Sequence, residues 1–433
     1  MVDGIPVLVK TILVFFMVLG LSRARLKLSY CLLAGAVVLG LWNGMGPIPL
    51  AKSLGLNLAR FETVNLVLIV GLILVISRLM KDSGQMERIV DRFSVLTRDP
   101  RTVGAVMPAL IGLLPMPGGA LFSAPMVETA FCEASLSQEK KTVVNYWFRH
   151  MWEYWWPLYP GVVLAVGLLH VEVWRFMAVM FPMTLITALA GVFFILRPMG
   201  MKAPEGKTSR GGKALGAFLW EIMPIIVVVA VIAVMALVTQ LPKLWGVDWT
   251  LPGGVAILPG LVAALIWVIW LNRIPLKGIW SALTDKDVVP MILLVAAIMV
   301  FKGVMTDSQA VVHIRDELVS YRFPLIWVIL LMPFLSGLIT GIAIGFVGAS
   351  FPLIIPLFPT SSLVEYLSYA CLAYSFGYMG MMLSPVHLCF LVTKDYFGAS
   401  LLRSYRPLVL PVGTVLVFAW LYFTILTKWV AGS

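Results

Sequence analysis

Apolar runs long enough to cross a bilayer recur along the whole chain, at residues 6–21, 28–42, 62–80, 173–196, 215–239, 252–271, 288–305 and 408–427. A hydrocarbon core offers no water to backbone N–H and C=O groups, so a spanning segment must satisfy them internally, as a helix does. Composition agrees: 61% of the residues are hydrophobic, only 12% are charged, and mean hydropathy is +0.97. Soluble domains carry about twice that share of charge. The expected fold class is an all-α polytopic membrane protein. Arg23, Arg25 and Lys27 follow the first apolar run instead of preceding it. That order reads as a spanning helix and a basic turn, not as a signal peptide.

Basic residues then orient the chain. With the N-terminus outside, the cytoplasmic side receives Arg23, Arg25 and Lys27, the basic residues from Arg78 through Arg149, and those of a hydrophilic central linker. It also receives Arg273, Lys277, Lys286, Lys394, Arg403 and Arg406, and so holds most of the 32 lysines and arginines. The net charge of +11 is therefore a topology signal with some contact to anionic lipid, and not a nucleic-acid signature.

The linker RPMGMKAPEGKTSRGGK at 197–213 divides the chain near its middle. Residues 1–200 form one half, 201–214 the cytoplasmic connection and 215–433 the other half. Five crossings are expected in each, and an odd number makes two similar halves inverted relative to one another. A weak repeat supports this. RLMKDSGQMERIVDRF at 78–93 aligns with GVMTDSQAVVHIRDEL at 303–318, and YWFRHMWEYWWP at 146–157 aligns with YSFGYMGMMLSP at 374–385. Between them, LPMPGGALFSAP at 114–125 corresponds to SGLITGIAIGFVGASFP at 336–352. Each half is thus expected to contain a re-entrant hairpin (103–130 and 323–358) and a discontinuous helix (145–169 and 367–392). Inverted repeats with a mid-membrane binding site between them are a recurring transporter design.

The interruptions carry the chemistry. Prolines remove a donor and glycines ease departure from helical geometry. Broken backbone at membrane depth survives only where protein or a watered cavity satisfies the freed groups. Helix starts exposed there favour an anion, and helix ends favour a cation such as Na⁺. Candidate substrate and ion ligands are Pro117, Gly118, Gly119 and Ser123 in the first half, and Thr340, Gly341, Ser350, Ser375 and Ser384 in the second. Close helix packing accounts equally well for Gly341, Gly345 and Gly348. It does not explain the doubled proline at Pro115 and Pro117.

Ionisable residues at membrane depth mark pathways. Glu153, His150, His387 and Glu128 are the proton-coupling candidates, because a histidine or a part-buried carboxyl titrates near neutral pH. Glu62 and Glu221 sit near expected helix starts and read as structural. The aromatic cluster Trp147, Trp152, Tyr154, Trp155, Trp156 and Tyr159 is either an interfacial belt or a cavity lining. Cys31, Cys132, Cys371 and Cys389 lack any ligand spacing, which argues against disulfides and a zinc site. No nucleotide-binding or metalloprotease motif is present. An enzyme is not expected, no cofactor is implied, and no metal is assigned beyond Na⁺ near the hairpin tips.

Three stretches carry a resemblance: RLMKDSGQMERIV at 78–90, LLPMPGGALFSAPM at 113–126 and GMMLSPVHLCFLVTKDYF at 380–397. They resemble an uncharacterised family of prokaryotic integral membrane proteins, distantly similar to the gluconate/citrate permeases of the ion transporter superfamily. The resemblance implies a scaffold domain and a transport domain, a homodimer in the cytoplasmic membrane, and elevator-type movement. Dicarboxylate members carry Ser-Asn-Thr at their hairpin tips. This chain has Pro117-Gly118-Gly119 and Leu338-Ile339-Thr340, so those sodium and carboxylate ligands do not carry over. The resulting expectation is a secondary transporter of a small organic anion of carboxylate type, coupled to H⁺ or Na⁺. An ion channel, or a non-transport membrane enzyme or lipid-handling protein, is the alternative.

Overall fold

A computed structural model describes residues 5–94, 99–116, 119–132, 136–199, 211–241, 254–320 and 324–432. Among them the regular structure is entirely helical, with no strand. The first half contains α1 (Val7–Arg23), α2 (Leu28–Trp42), α3 (Pro47–Ala59), α4 (Phe61–Asp82) and α5 (Gln85–Ser94). There follow α6 (Pro100–Ile111), α7 (Ala120–Ala130), α8 (Gln138–Arg149), α9 (Pro160–Leu169) and α10 (Val173–Ala190), the last running on through a π-helical turn at Gly191–Leu196. The second half begins with α11 (Gly211–Glu221), α12 (Met223–Gln240), α13 (Leu258–Asn272) and α14 (Leu276–Leu283). It continues with α15 (Val288–Asp307), α16 (Ala310–Ser320), α17 (Leu325–Thr340) and α18 (Ala343–Ile354). The last three helices are α19 (Leu363–Met382), α20 (Leu388–Phe397) and α21 (Leu401–Gly432).

Six helical segments are long and apolar enough to span a membrane: Phe61–Asp82, Val173–Met199, Met223–Gln240, Val255–Asn272, Val288–Asp307 and Leu401–Lys428. Leu28–Trp42, Pro160–Leu169, Leu325–Thr340 and Ala343–Leu357 are apolar but shorter. The expected central linker lies almost wholly outside the described residues. Helix α3 was not anticipated; Pro47 opens it at a position where a proline costs no hydrogen bond.

Local chemistry sets many of the boundaries. Asp99 caps α6 by accepting from the Thr102 amide, Ser137 caps α8 through Lys140, and Ser362 caps α19 through Glu365. Gly341 and Gly398 close α17 and α20 with φ of 65°, left-handed backbone that a residue with a Cβ adopts only under strain. As an amphipathic sequence demands, α5 buries Met86, Ile89 and Val90 and exposes Glu87 and Arg92. It docks on α11, where Arg88 reaches Glu221 at 3.1 Å, and the same side chain reaches Asn272 at the end of α13 at 2.5 Å. Glu221 thus ends one helix just before the next begins, and it pairs with a cation there. Glu62 does stand in the first turn of α4, 3.6 Å from Lys302.

Packing sorts the helices into two sets. Helices α1–α4 pack with α13, α15 and α16, and α12 lies on α13; α4 and α15 are the most enclosed of the long spans. Helices α6–α10 pack with α17–α21, through close pairs such as α17 with α19, α9 with α18, and α8 with α20. Small residues permit this: an added Cβ on Gly337 would lie 2.1 Å from the Gly377 carbonyl oxygen. The sets meet where α4 faces α9, α15 faces α18, α1 faces α17 and α18, and α10 faces α12.

Candidate functional site

Among the described residues, the breaks between helices include 112–116, 150–159, 341–342 and 383–387. All four reach one cavity of about 190 Å³ at the junction of the two helix sets. Pro115 and Met116 come from the first break, and His150, Glu153 and Tyr159 from the second. Gly341 and Ile342 come from the third, and His387 from the fourth. Arg149, the last residue of α8, also lines it, while Leu74 of α4 and Met291 of α15 close it from the other set.

Three helices begin at this cavity: α9 at Pro160 and Gly161, α18 at Ala343 and Ile344, and α20 at Leu388 and Cys389. None of the three has a side-chain cap, so the first-turn N–H groups of α18 and α20, and those of α9 after Pro160 (which has none), lack the side-chain partner that a helix start usually receives. Helices α8, α17 and α19 end beside the same space. Positive and negative helix termini therefore converge from both halves of the chain.

Tyrosine and tryptophan tips satisfy the carbonyls that the breaks release. Trp152 Nε1 donates to Ala109 at 2.8 Å, Trp156 Nε1 to Leu113 at 2.9 Å, and Tyr159 to Gly112. From α19, Tyr374 donates to the Glu153 carbonyl at 2.8 Å and Tyr378 to that of His150. Of the aromatic cluster, Tyr159 lines the cavity and Trp152 and Trp156 donate to carbonyls beside the first break, while buried Trp147 donates to Thr187 inside α10.

Arg149 is 2% exposed. One guanidinium nitrogen donates to the Met116 carbonyl at 3.1 Å, and Nε has no hydrogen-bond partner. Among the described residues no carboxylate lies within 4.0 Å of it. Counting Arg149 with the cytoplasmic basic residues was therefore wrong: it is a core residue at the cavity wall. Gly119 is the reason it fits, since an added Cβ there would stand 2.2 Å from Arg149 Nη2.

His150, Glu153 and His387 come together. The two imidazole Nε2 atoms are 3.1 Å apart, and His150 Nε2 is 3.8 Å from a Glu153 carboxylate oxygen. Glu128 does not join them; it is exposed and accepts from Tyr396 at 2.7 Å. Gly341 lines the cavity, and Ser384 lies against it, with Oγ 2.9 Å from where a Gly341 Cβ would be. Ser123, Thr340 and Ser350 donate to carbonyls of their own helices and do not line the cavity; neither does buried Ser375. Pro117 and Gly118 lie outside the described residues. Cys389, dismissed on spacing, also lines the cavity. Its sulfur and the two histidines' nitrogens lie within 4.8 Å of one another.

Residues 9–426 match the family model described as "Protein of unknown function (DUF401)", and the chain belongs to that family. No curated protein matches it.

Proposed function

We propose that this chain is a secondary active transporter of a small organic anion of carboxylate type, coupled to H⁺ or Na⁺. Arg149 carries the reading. A guanidinium remains protonated in a protein, and a buried charge is costly unless paired. Here the charge faces a cavity into which three uncapped helix starts also point, and these favour an anion. A carboxylate bound there would meet the guanidinium fork and free amides together.

Two further features support transport over static binding. Elements α4–α10 are followed in the same order of kind by α15–α21: long span, short surface helix, helix pair, interrupted helix, closing span. That order is what an inverted repeat with re-entrant hairpins would produce. The division into two helix sets, with the cavity between them, suits a transport domain moving against a scaffold. A homodimer in a prokaryotic cytoplasmic membrane, N-terminus outside, belongs to the same proposal.

Uptake into proteoliposomes tests it directly. A panel of labelled mono-, di- and tricarboxylates would be offered under imposed proton and sodium gradients. Accumulation of at least one anion, driven by one gradient and lost in Arg149→Gln, is expected. If no gradient drives any anion in the unmodified protein, the reading is wrong.

A further inference from the structure

The two histidines at the cavity pose an electrostatic problem. His150 Nδ1 lies 2.6 Å from the Tyr146 carbonyl oxygen, and His387 Nδ1 lies 3.3 Å from that of Met381. A carbonyl only accepts, so each Nδ1 carries the ring hydrogen in these contacts. Each Nε2 is then a bare lone pair. The two lone pairs face each other at 3.1 Å, deep in the protein, with both histidines buried. Two acceptors opposed at that distance repel unless a cation stands between them.

From this arrangement we propose a transition-metal site formed by His150 Nε2, His387 Nε2 and Cys389 Sγ, with the Glu153 carboxylate as the nearest fourth donor. The three ligand atoms lie within 4.8 Å of one another, and Glu153 approaches His150 Nε2 to 3.8 Å. A tetrahedral zinc site with its usual bond lengths spaces nitrogen and sulfur donors about 3.3–3.6 Å apart, so small side-chain shifts complete the shell. Histidines that ligate a metal through Nε2 commonly donate Nδ1–H to a backbone carbonyl, which fixes the tautomer and aims the lone pair. Both rings are held that way.

The donor set selects the ion. Two imidazoles and a thiolate suit Zn²⁺, Co²⁺ or Cu⁺, whereas Na⁺ and Mg²⁺ prefer oxygen. On binding, the Cys389 thiol gives its proton to solvent and the sulfur bonds to the metal. Thiolate and carboxylate together then cancel the charge of a divalent ion, leaving the Arg149 guanidinium as the net charge at the cavity. The ligands come from the break after α8 and from the start of α20, so the ion ties the two halves of the chain together at the cavity.

Metal binding is measured on the purified full-length protein in detergent, stripped with chelator and titrated with Co²⁺. One Co²⁺ per chain is expected, with a near-ultraviolet sulfur-to-cobalt charge-transfer band. Cys389→Ser should remove that band and weaken binding at least tenfold, while Cys132→Ser, at an exposed cysteine, changes neither. On the unmodified protein, Zn²⁺ should slow alkylation of Cys389 at least tenfold and leave Cys132 unprotected. Absence of stoichiometric Co²⁺, a sulfur band that survives Cys389→Ser, or no zinc protection of Cys389 would each overturn the proposal. A proton shared between the imidazoles would give the first of these results. None of the readouts involves transport, so this inference and the transporter reading fail separately.

Discussion

The Tyr374 hydroxyl donates a 2.8 Å hydrogen bond to the carbonyl of Glu153, across 221 residues of sequence. A donor from the interrupted helix of the second half thereby satisfies an acceptor released by the interruption in the first. The carbonyl is buried, and the other half of the chain supplies the donor that water would otherwise provide.

Tyr374→Phe removes this donor and leaves a buried carbonyl without its partner. The expected loss is about 1–3 kcal/mol, seen as a lower thermal midpoint of the purified protein in detergent. A midpoint equal to that of the unmodified protein would show that the bond contributes nothing.

Gly119→Ala places a methyl group 2.2 Å from Arg149 Nη2. The helical φ of −56° at this position tolerates alanine, so the effect falls on the guanidinium and not on the backbone. Anion affinity should drop about tenfold, equivalent to roughly 1.4 kcal/mol. Gly20→Ala, with no atom within 4 Å of the added carbon, is the control. Equal affinities in the two variants would mean that the position of Arg149 is irrelevant.

Gly380→Ala brings a methyl carbon to 2.1 Å from the Phe334 carbonyl oxygen, at the close crossing of α17 and α19. Overpacking there should destabilise by about 1–3 kcal/mol and lower the yield of monodisperse protein. Gly413→Ala, in open space on α21, should be neutral or stabilising by up to about 1 kcal/mol. Indistinguishable yields and midpoints for the two would remove close packing as the reason for glycine at 380.

Arg88→Ala leaves Glu221, whose side chain is only 10% exposed, without its cation. The same arginine holds Asn272 and the Ser83 carbonyl. A loss of about 2 kcal/mol is expected, with faster hydrogen exchange confined to α5 and α11. Unchanged exchange there would mean that apolar contacts alone dock α5.

The helical class and some of the places where helices stop could be read from the sequence, because both have local causes, although α3 and the division between α11 and α12 at Ile222 could not. A long apolar run must close its own hydrogen bonds, and Pro115 or Gly341 acts on the turn in which it sits. Glu153, His150 and His387 could be flagged for the same reason: a charge in an apolar run is visible without any neighbour. Burial and partnership are not local. Glu128 and Glu153 both stand in apolar, proline-flanked surroundings, yet docking leaves one exposed against Tyr396 and the other at the cavity. Arg149 looked like a loop cation, and Cys389 like one of four scattered thiols. Each gained its place when segments more than 200 residues apart packed together, because pair distances depend on how helices cross and not on the order of the residues.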